Sequence, residues 1–106
     1  MHTLVVTFSL VDLDSGAFER MTRDSAALIA TVPGLIGKAY LVDETNNSYG
    51  GVYLFQDRSM AEDYVSSDVI ASLASHPEVV NPTTTIYGTV EEATQITQLE
   101  LSLVAA

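Results

Sequence analysis

The opening stretch sets the problem that the rest of the chain must solve. Over residues 3–11, Leu4, Val6, Phe8 and Leu10 alternate with Thr3, Val5, Thr7, Ser9 and Val11. A period of two, rich in β-branched residues, is the pattern of a strand. The second of its faces is neither charged nor fully apolar. Such a strand suits a sheet covered on both sides, with a second subunit as one candidate cover.

The period then changes. Asp12-Leu13-Asp14-Ser15-Gly16 breaks the alternation, and Asp14 or Ser15 can cap a helix. Phe18, Met21, Ser25, Leu28, Ile29 and Val32 recur at helical spacing, while Glu19, Arg20, Arg23 and Asp24 lie mostly off that stripe. This predicts a helix over 16–31, stopped by Pro33-Gly34. A second strand is expected over 35–42, a polar turn at Asp43-Glu44-Thr45-Asn46-Asn47-Ser48, and a third strand over 49–56. The two strands form a long hairpin, and the pair Gly50-Gly51 marks a bulge or a close backbone approach.

Ser59-Met60-Ala61-Glu62 has the spacing of a capping box and opens a short helix carrying Met60, Ala61, Tyr64 and Val65. Ser66-Ser67-Asp68 interrupts it. A further turn or two carries Val69, Ile70 and Leu73, and His76-Pro77 ends the helical region. The last strand is expected over 83–90, with Thr83, Thr85, Tyr87 and Thr89 on one side and Ile86, Gly88 and Val90 on the other.

The order is β-α-β-β-α-β, the split pattern of a ferredoxin-like α+β domain with helices on one sheet face. The bare face needs a cover. A second copy would supply it and make a homodimer, a dimeric α+β barrel. The whole chain, 1–106, reads as one such domain with a C-terminal tail over 91–106. Within that tail Leu99-Glu100-Leu101-Ser102-Leu103-Val104 alternates like an edge strand able to cross to the second copy.

Composition narrows the partners. A chain of 106 residues is long enough for one domain and too short for two. It buries roughly 60–70% of its unfolded surface, which leaves a thin core that pairing would thicken. The net charge is −10, from 14 acidic and 4 basic residues, and the basic ones (Arg20, Arg23, Lys38, Arg58) are scattered. Nucleic acid and anionic membrane call for clustered cations, so both are excluded as expected partners. No apolar run approaches the ~18 residues of a membrane span. There is no cysteine, and the N-terminus lacks a basic leader, so a cytoplasmic location is expected.

Most chemistry-bearing signatures are missing, including a Gly-rich phosphate loop, G-x-S-x-G, H-E-x-x-H and an EF-hand loop. The two histidines, His2 and His76, sit near opposite ends, and no metal site is expected. Asp12 and Asp14 read as capping residues. What remains lies on strands. Lys38 and Tyr40 share a face of strand two with Ile36 and Val42, so a lysine stands on an otherwise apolar face. Such a lysine must snorkel, pair with a carboxylate or line a cavity. Tyr53 and Phe55 share one face of strand three. Tyr40, Tyr53, Tyr64 and Tyr87 are each explained as core aromatics, and together they would also line a small-molecule pocket. His76 reads as a helix-end residue or, alternatively, as a base titrating near neutrality.

Pro33-Gly34-Leu35-Ile36-Gly37-Lys38-Ala39-Tyr40, then Asn46, Gly50-Gly51-Val52-Tyr53-Leu54-Phe55-Gln56-Asp57 and Ala61-Glu62-Asp63-Tyr64 form a further pattern. It resembles the YdhR-type monooxygenase family, a branch of the dimeric α+β barrel superfamily. The match runs without a gap over 33–64, with a looser echo over 90–98. Gly37 and Tyr40 stand where the family pattern has tryptophan, and this chain has no Trp. The resemblance implies a homodimer with a pocket between sheet and helices, and relatives that use neither metal nor flavin.

It also implies oxidation of an electron-rich phenol or anthrone by molecular oxygen, with no cofactor. The expected catalytic residues are Lys38 as cation at the phenolate and Tyr40 and Tyr53 as donors. Phe8, Asn46, Phe55, Tyr64 and His76 are the expected ligand-binding residues for a small hydrophobic or aromatic ligand. A non-redox cyclase or isomerase, and a non-catalytic ligand-binding dimer, remain as alternatives on the same scaffold.

Overall fold

The computed structural model describes residues 1–11 and 15–97. Its elements run β1 (His2–Leu10), α1 (Ser15–Ile29), β2 (Leu35–Asp43), β3 (Ser48–Phe55), α2 (Arg58–Val65), α3 (Asp68–Ser75), β4 (Val79–Gly88) and α4 (Glu91–Ile96). The strands form one sheet in the order β2-β3-β1-β4, every neighbouring pair antiparallel. This is the expected ferredoxin-like α+β arrangement. The interrupted second helix is two helices, α2 and α3, and part of the expected tail is the helix α4.

Register assigns the two faces. Leu4 lies opposite Tyr53 and Ile86, Val6 opposite Gly51, and Phe8 opposite Tyr49. These residues, with Leu10 and Phe55, face the helices, and all but the half-buried Ile86 are buried together with Phe18, Ile29, Ala61, Tyr64 and Ile70. The opposite face carries three cross-strand rungs: Gly37–Leu54–Thr3–Tyr87, Ala39–Val52–Val5–Thr85 and Leu41–Gly50–Thr7–Thr83. Its hydroxyls pair with each other, Thr3 with Thr89 and Thr7 with Thr83.

Several local expectations change. Helix α2 is capped by Asp57, whose carboxylate accepts from the Met60 N–H at 2.9 Å and from the Ser59 hydroxyl at 2.8 Å. Ser59 therefore supports the cap instead of being it, and Glu62 pairs with Arg58 at 3.0 Å, one turn back. Asp57 stands just before the helix, three residues ahead of the N–H it accepts, whereas Ser59 already lies in the first turn. Leu28, expected on the buried stripe of α1, is 63% exposed.

Strand β4 begins at Val79, four residues earlier than the composition indicated. Asn81 and Pro82 disguise its start. Asn81 has φ 53°, and the ladder with β1 shifts register between Thr7 and Ser9. Proline is tolerated there because β4 is an edge strand. On β2 the register shifts between Leu35 and Gly37, so Leu35 packs on the core and Ile36 turns outward. The Gly50-Gly51 pair marks close approach, not a bulge. Gly50 has φ 154°, and a side chain there would meet the Val6 carbonyl oxygen at 1.9 Å. The expected exchanged strand over 99–104 lies outside the described residues.

Candidate active site

Helix α1 is pinned to the sheet near its two ends. Phe18 packs against Tyr49 (ring centroids 4.7 Å) and edge-on to Phe8 (6.1 Å), and Ile29 is buried one helix length later. Between these anchors Met21, Thr22 and Ser25 face a cavity of about 420 Å³. Its floor is Phe8, Tyr40 and Tyr53 from the sheet; its far wall is Tyr64 of α2 with Val69, Ile70, Ser72 and Leu73 of α3, and His76 just beyond. The lining is mainly apolar, with a few hydroxyls, one imidazole and the Asp24 carboxylate, which is the make-up of a small-molecule site.

The tyrosines form a connected set. The Tyr53 and Tyr64 hydroxyls lie 3.1 Å apart, with the rings 5.0 Å apart and Phe55 behind both. Burial, then the hydrogen bond to Tyr64, pushes the Tyr53 phenol far up; burial also raises Tyr64. Both stay neutral near pH 7. Two hydroxyls carry two protons: one bridges the pair, and the other is free for a ligand.

Lys38 occupies a separate position. Its Nζ lies 3.9 Å from the centre of the Tyr40 ring and 4.4 Å from that of Tyr53, a double cation–π contact. The stem crosses Gly51, where any Cβ would sit 2.5 Å from the Lys38 Cε. No carboxylate among the described residues lies within ion-pair distance. Burial without a counter-ion lowers its pKa from the ordinary 10.5 to about 8. Lys38 does not line the large cavity. It lines a neighbouring one of about 260 Å³ with Ala26, Ala30 and Gly37, and the two cavities share Ile29 and Tyr40 as walls.

Of the residues singled out in the sequence, Phe8, Tyr40, Tyr53, Tyr64 and His76 meet at the large cavity. Lys38 is one ring away. Phe55 is fully buried behind Tyr53 and Tyr64 and supports them without touching the cavity. Asn46 is not brought there: it is exposed in the β2–β3 turn, its backbone and side chain both donating to Asp43. Its neighbour Asn47 has the structural task instead, accepting from the Leu10 N–H at 3.0 Å and donating to the Leu10 carbonyl at 2.9 Å.

His76 is the cap at the end of α3, and its Nδ1 accepts the Glu78 backbone N–H at 3.1 Å. In the neutral ring the proton therefore sits on Nε2, making His76 a donor. Sequence reasoning missed Thr22, Asp24, Ser25 and Ser72 in the lining. Their signal was the polar interruption of otherwise apolar helix stripes, as at Ser25.

Fold and cavity together define an α+β protein of the ferredoxin-like class with a hydroxyl-bearing aromatic chamber between sheet and helices. The chain belongs to the family described as "Putative mono-oxygenase ydhR", whose model matches residues 4–100. No curated protein matches it. Among solved structures it is similar to SnoaB, a cofactor-independent oxygenase from Streptomyces nogalater. The identity is 18%, with 83% of this chain and 91% of that one covered and a TM-score of 0.64. It is also similar to the heme-degrader MhuD from Mycobacterium tuberculosis, solved with two hemes in its active site. There the identity is 15%, with 85% and 96% covered and a TM-score of 0.66. At these identities the likeness is one of fold. No described helix is long and apolar enough to cross a membrane.

Proposed function

We propose that this chain is a cofactor-independent monooxygenase that oxidises a small phenol- or anthrone-like aromatic ligand in the cavity beneath α1. The observation that carries the reading is the convergence of Tyr40, the Tyr53–Tyr64 pair and the Nε2–H of His76 on one apolar chamber. The chemistry needs electrons from the substrate. An anthrone CH₂ and O₂ give the quinone C=O and H₂O, with all four electrons coming from the substrate and one oxygen atom leaving as water. The difficult step is forming the electron-rich anion, and neutral donors aimed at its oxygen in a dry site favour it. Asp24, in the cavity lining, would accept the departing proton, and Lys38 would add its positive field from behind Tyr40.

The half-buried Val5, Val52 and Leu41, with the self-paired threonines beside them, support a homodimer through the open sheet face. Donors that are already satisfied cost little to bury. The family and its solved relatives support the oxygenase reading over a cyclase. A heme-handling site is disfavoured here by His76, since an imidazole whose Nδ1 accepts a backbone N–H presents N–H, not a lone pair, on Nε2.

Dithranol, a dihydroxyanthrone, serves as probe with an oxygen electrode and no added metal or flavin. The expected result is quinone formation with one O₂ consumed per anthrone, faster than autoxidation and slowed by Tyr40→Phe. Conversion without oxygen uptake would point to the non-redox alternative. Binding without conversion would point to a ligand-binding dimer.

A further inference from the structure

We infer that the smaller cavity ending at Lys38 is an anion subsite, so that the ligand of this protein is an aromatic ring system carrying a carboxylate or equally charged oxyanion substituent. This rests on the reading of the larger cavity as an aromatic site and names what distinguishes its ligand.

Three observations carry it. The first concerns charge. The sequence holds four Lys and Arg residues against fourteen acids. Arg20, Arg23 and Arg58 are exposed, and Arg58 is paired with Glu62. Lys38 is thus the one Lys or Arg that is not exposed, in a protein whose overall charge repels anions. The second concerns pairing. No described carboxylate reaches Lys38, whose ammonium rests only on the faces of Tyr40 and Tyr53. Ring faces compensate part of what a withdrawn ammonium loses in hydration, and an oxyanion compensates far more.

The third is space and proximity. The cavity of about 260 Å³ beside Lys38 is widened by Ala26, Ala30 and Gly37, and it shares Ile29 and Tyr40 with the larger one. A ring lying against Tyr40 in the large cavity would be one side chain away from Nζ, which lies 3.9 Å from the centre of the Tyr40 ring, and a charged arm reaching past that residue would meet it. Gly51 completes the arrangement, because a side chain there would displace the Lys38 stem. The ring is then held by apolar contact and its orientation by the charge.

The test compares 1-hydroxy-2-naphthoate with its methyl ester, which keeps the ring and removes the charge. Binding is followed through naphthyl fluorescence at pH about 7, where Lys38 is charged. The wild type is expected to bind the acid at least about tenfold more tightly than the ester, the scale of one charge-assisted contact. In Lys38→Met, and independently in Lys38→Gln, that ratio is expected to fall to about one while affinity for the ester is retained. In a crystal of the acid complex the carboxylate is expected within hydrogen-bond distance of Nζ.

Equal binding of acid and ester by the wild type would overturn the inference and leave the aromatic reading standing. A preference that survives both substitutions would likewise overturn it. Failure of both ligands to bind would overturn the aromatic reading and this inference together.

Discussion

On one face of the sheet, Leu4, Val6, Phe8, Tyr53 and Phe55 are sealed beneath three helices. On the other, Val5, Thr7, Val52 and Leu41 alternate with them along the same strands and are only half-buried. The backbone is shared and the pleat is the same, so the difference lies in the side chains and their cover. The helix face is built from large aromatics, which hold α1 away from the sheet and leave a chamber beneath it. The open face is built mostly from valine, threonine, leucine, alanine and glycine, with Tyr87 at its β4 edge. A face of that kind makes a sheet-on-sheet contact well and a cavity badly. The two faces thus differ in kind: the aromatic side encloses a cavity and the aliphatic side does not.

The largest expected effect breaks the helix face. Phe55→Ala removes a fully buried ring that backs both Tyr53 and Tyr64. The loss should be about 3–5 kcal/mol of stability, read from denaturant midpoints. A stable, fully folded variant would show that the aromatic stack is not the core.

The open face is broken by charge. Val52→Glu places a carboxylate in the middle rung, between Ala39 and Val5. If a second copy covers this face, sedimentation should show the dimer dissociation constant raised about a hundredfold or more, because a buried unpaired charge is costly. Fold and thermal unfolding at low concentration should change little. An unaltered association state would place the dimer contact elsewhere.

The adjacent glycines sharpen the contrast. A Cβ on Gly50 would meet the Val6 carbonyl oxygen at 1.9 Å, whereas one on Gly51 would meet the Lys38 Cε at 2.5 Å. Backbone cannot yield and a lysine stem can. Gly50→Ala is therefore expected to cost about 2–3 kcal/mol, and Gly51→Ala less than about 1 kcal/mol. Gly51→Ala should instead weaken binding of the aromatic acid. Equal destabilisation by both changes would contradict the placement of Lys38 over Gly51.

The smallest effect is in pH. The Lys38 pKa falls from 10.5 to about 8 on folding. Between those two values the unfolded chain binds more protons than the folded one, so stability rises as pH increases through that window. Lys38 is partly in contact with water, which limits the gain to about 1 kcal/mol. Tyr53 and Tyr64, both raised by burial, act in the opposite sense: their contribution is lost once pH climbs past about 10, where the unfolded tyrosines ionise. Unfolding midpoints near pH 8, 9.5 and 11 should therefore rise and then fall. Lys38→Met should keep the fall and lose the rise.

Some of the site was legible along the chain because alternation on a strand is strict. Lys38 and Tyr40 share a face, as do Tyr53 and Phe55, and register then sets Lys38 opposite Tyr53. His76 was legible as a helix end, through the proline that follows it. Asn46 was not legible. Two asparagines in succession look alike in a turn, and which one braces β1 depends on the 3.0 Å reach of Asn47 to Leu10, 37 residues away in sequence. Phe55 and Tyr53 likewise read alike, yet only Tyr53 reaches the chamber.

What the amino-acid order determined by itself was the β-α-β-β-α-β order and, away from the irregular starts of β2 and β4, which strand residues share a face, because periodicity and turn chemistry are local. It could not decide whether Lys38 meets a carboxylate, a ring or a cavity, nor that α1 would be pinned at Phe18 and Ile29 with a gap between. Those outcomes depend on how far apart two packed elements stand, and that distance is set by side chains contributed from separate parts of the chain. Only the tertiary structure brings Phe8, Phe18 and Tyr49 together as the spacer that opens the site.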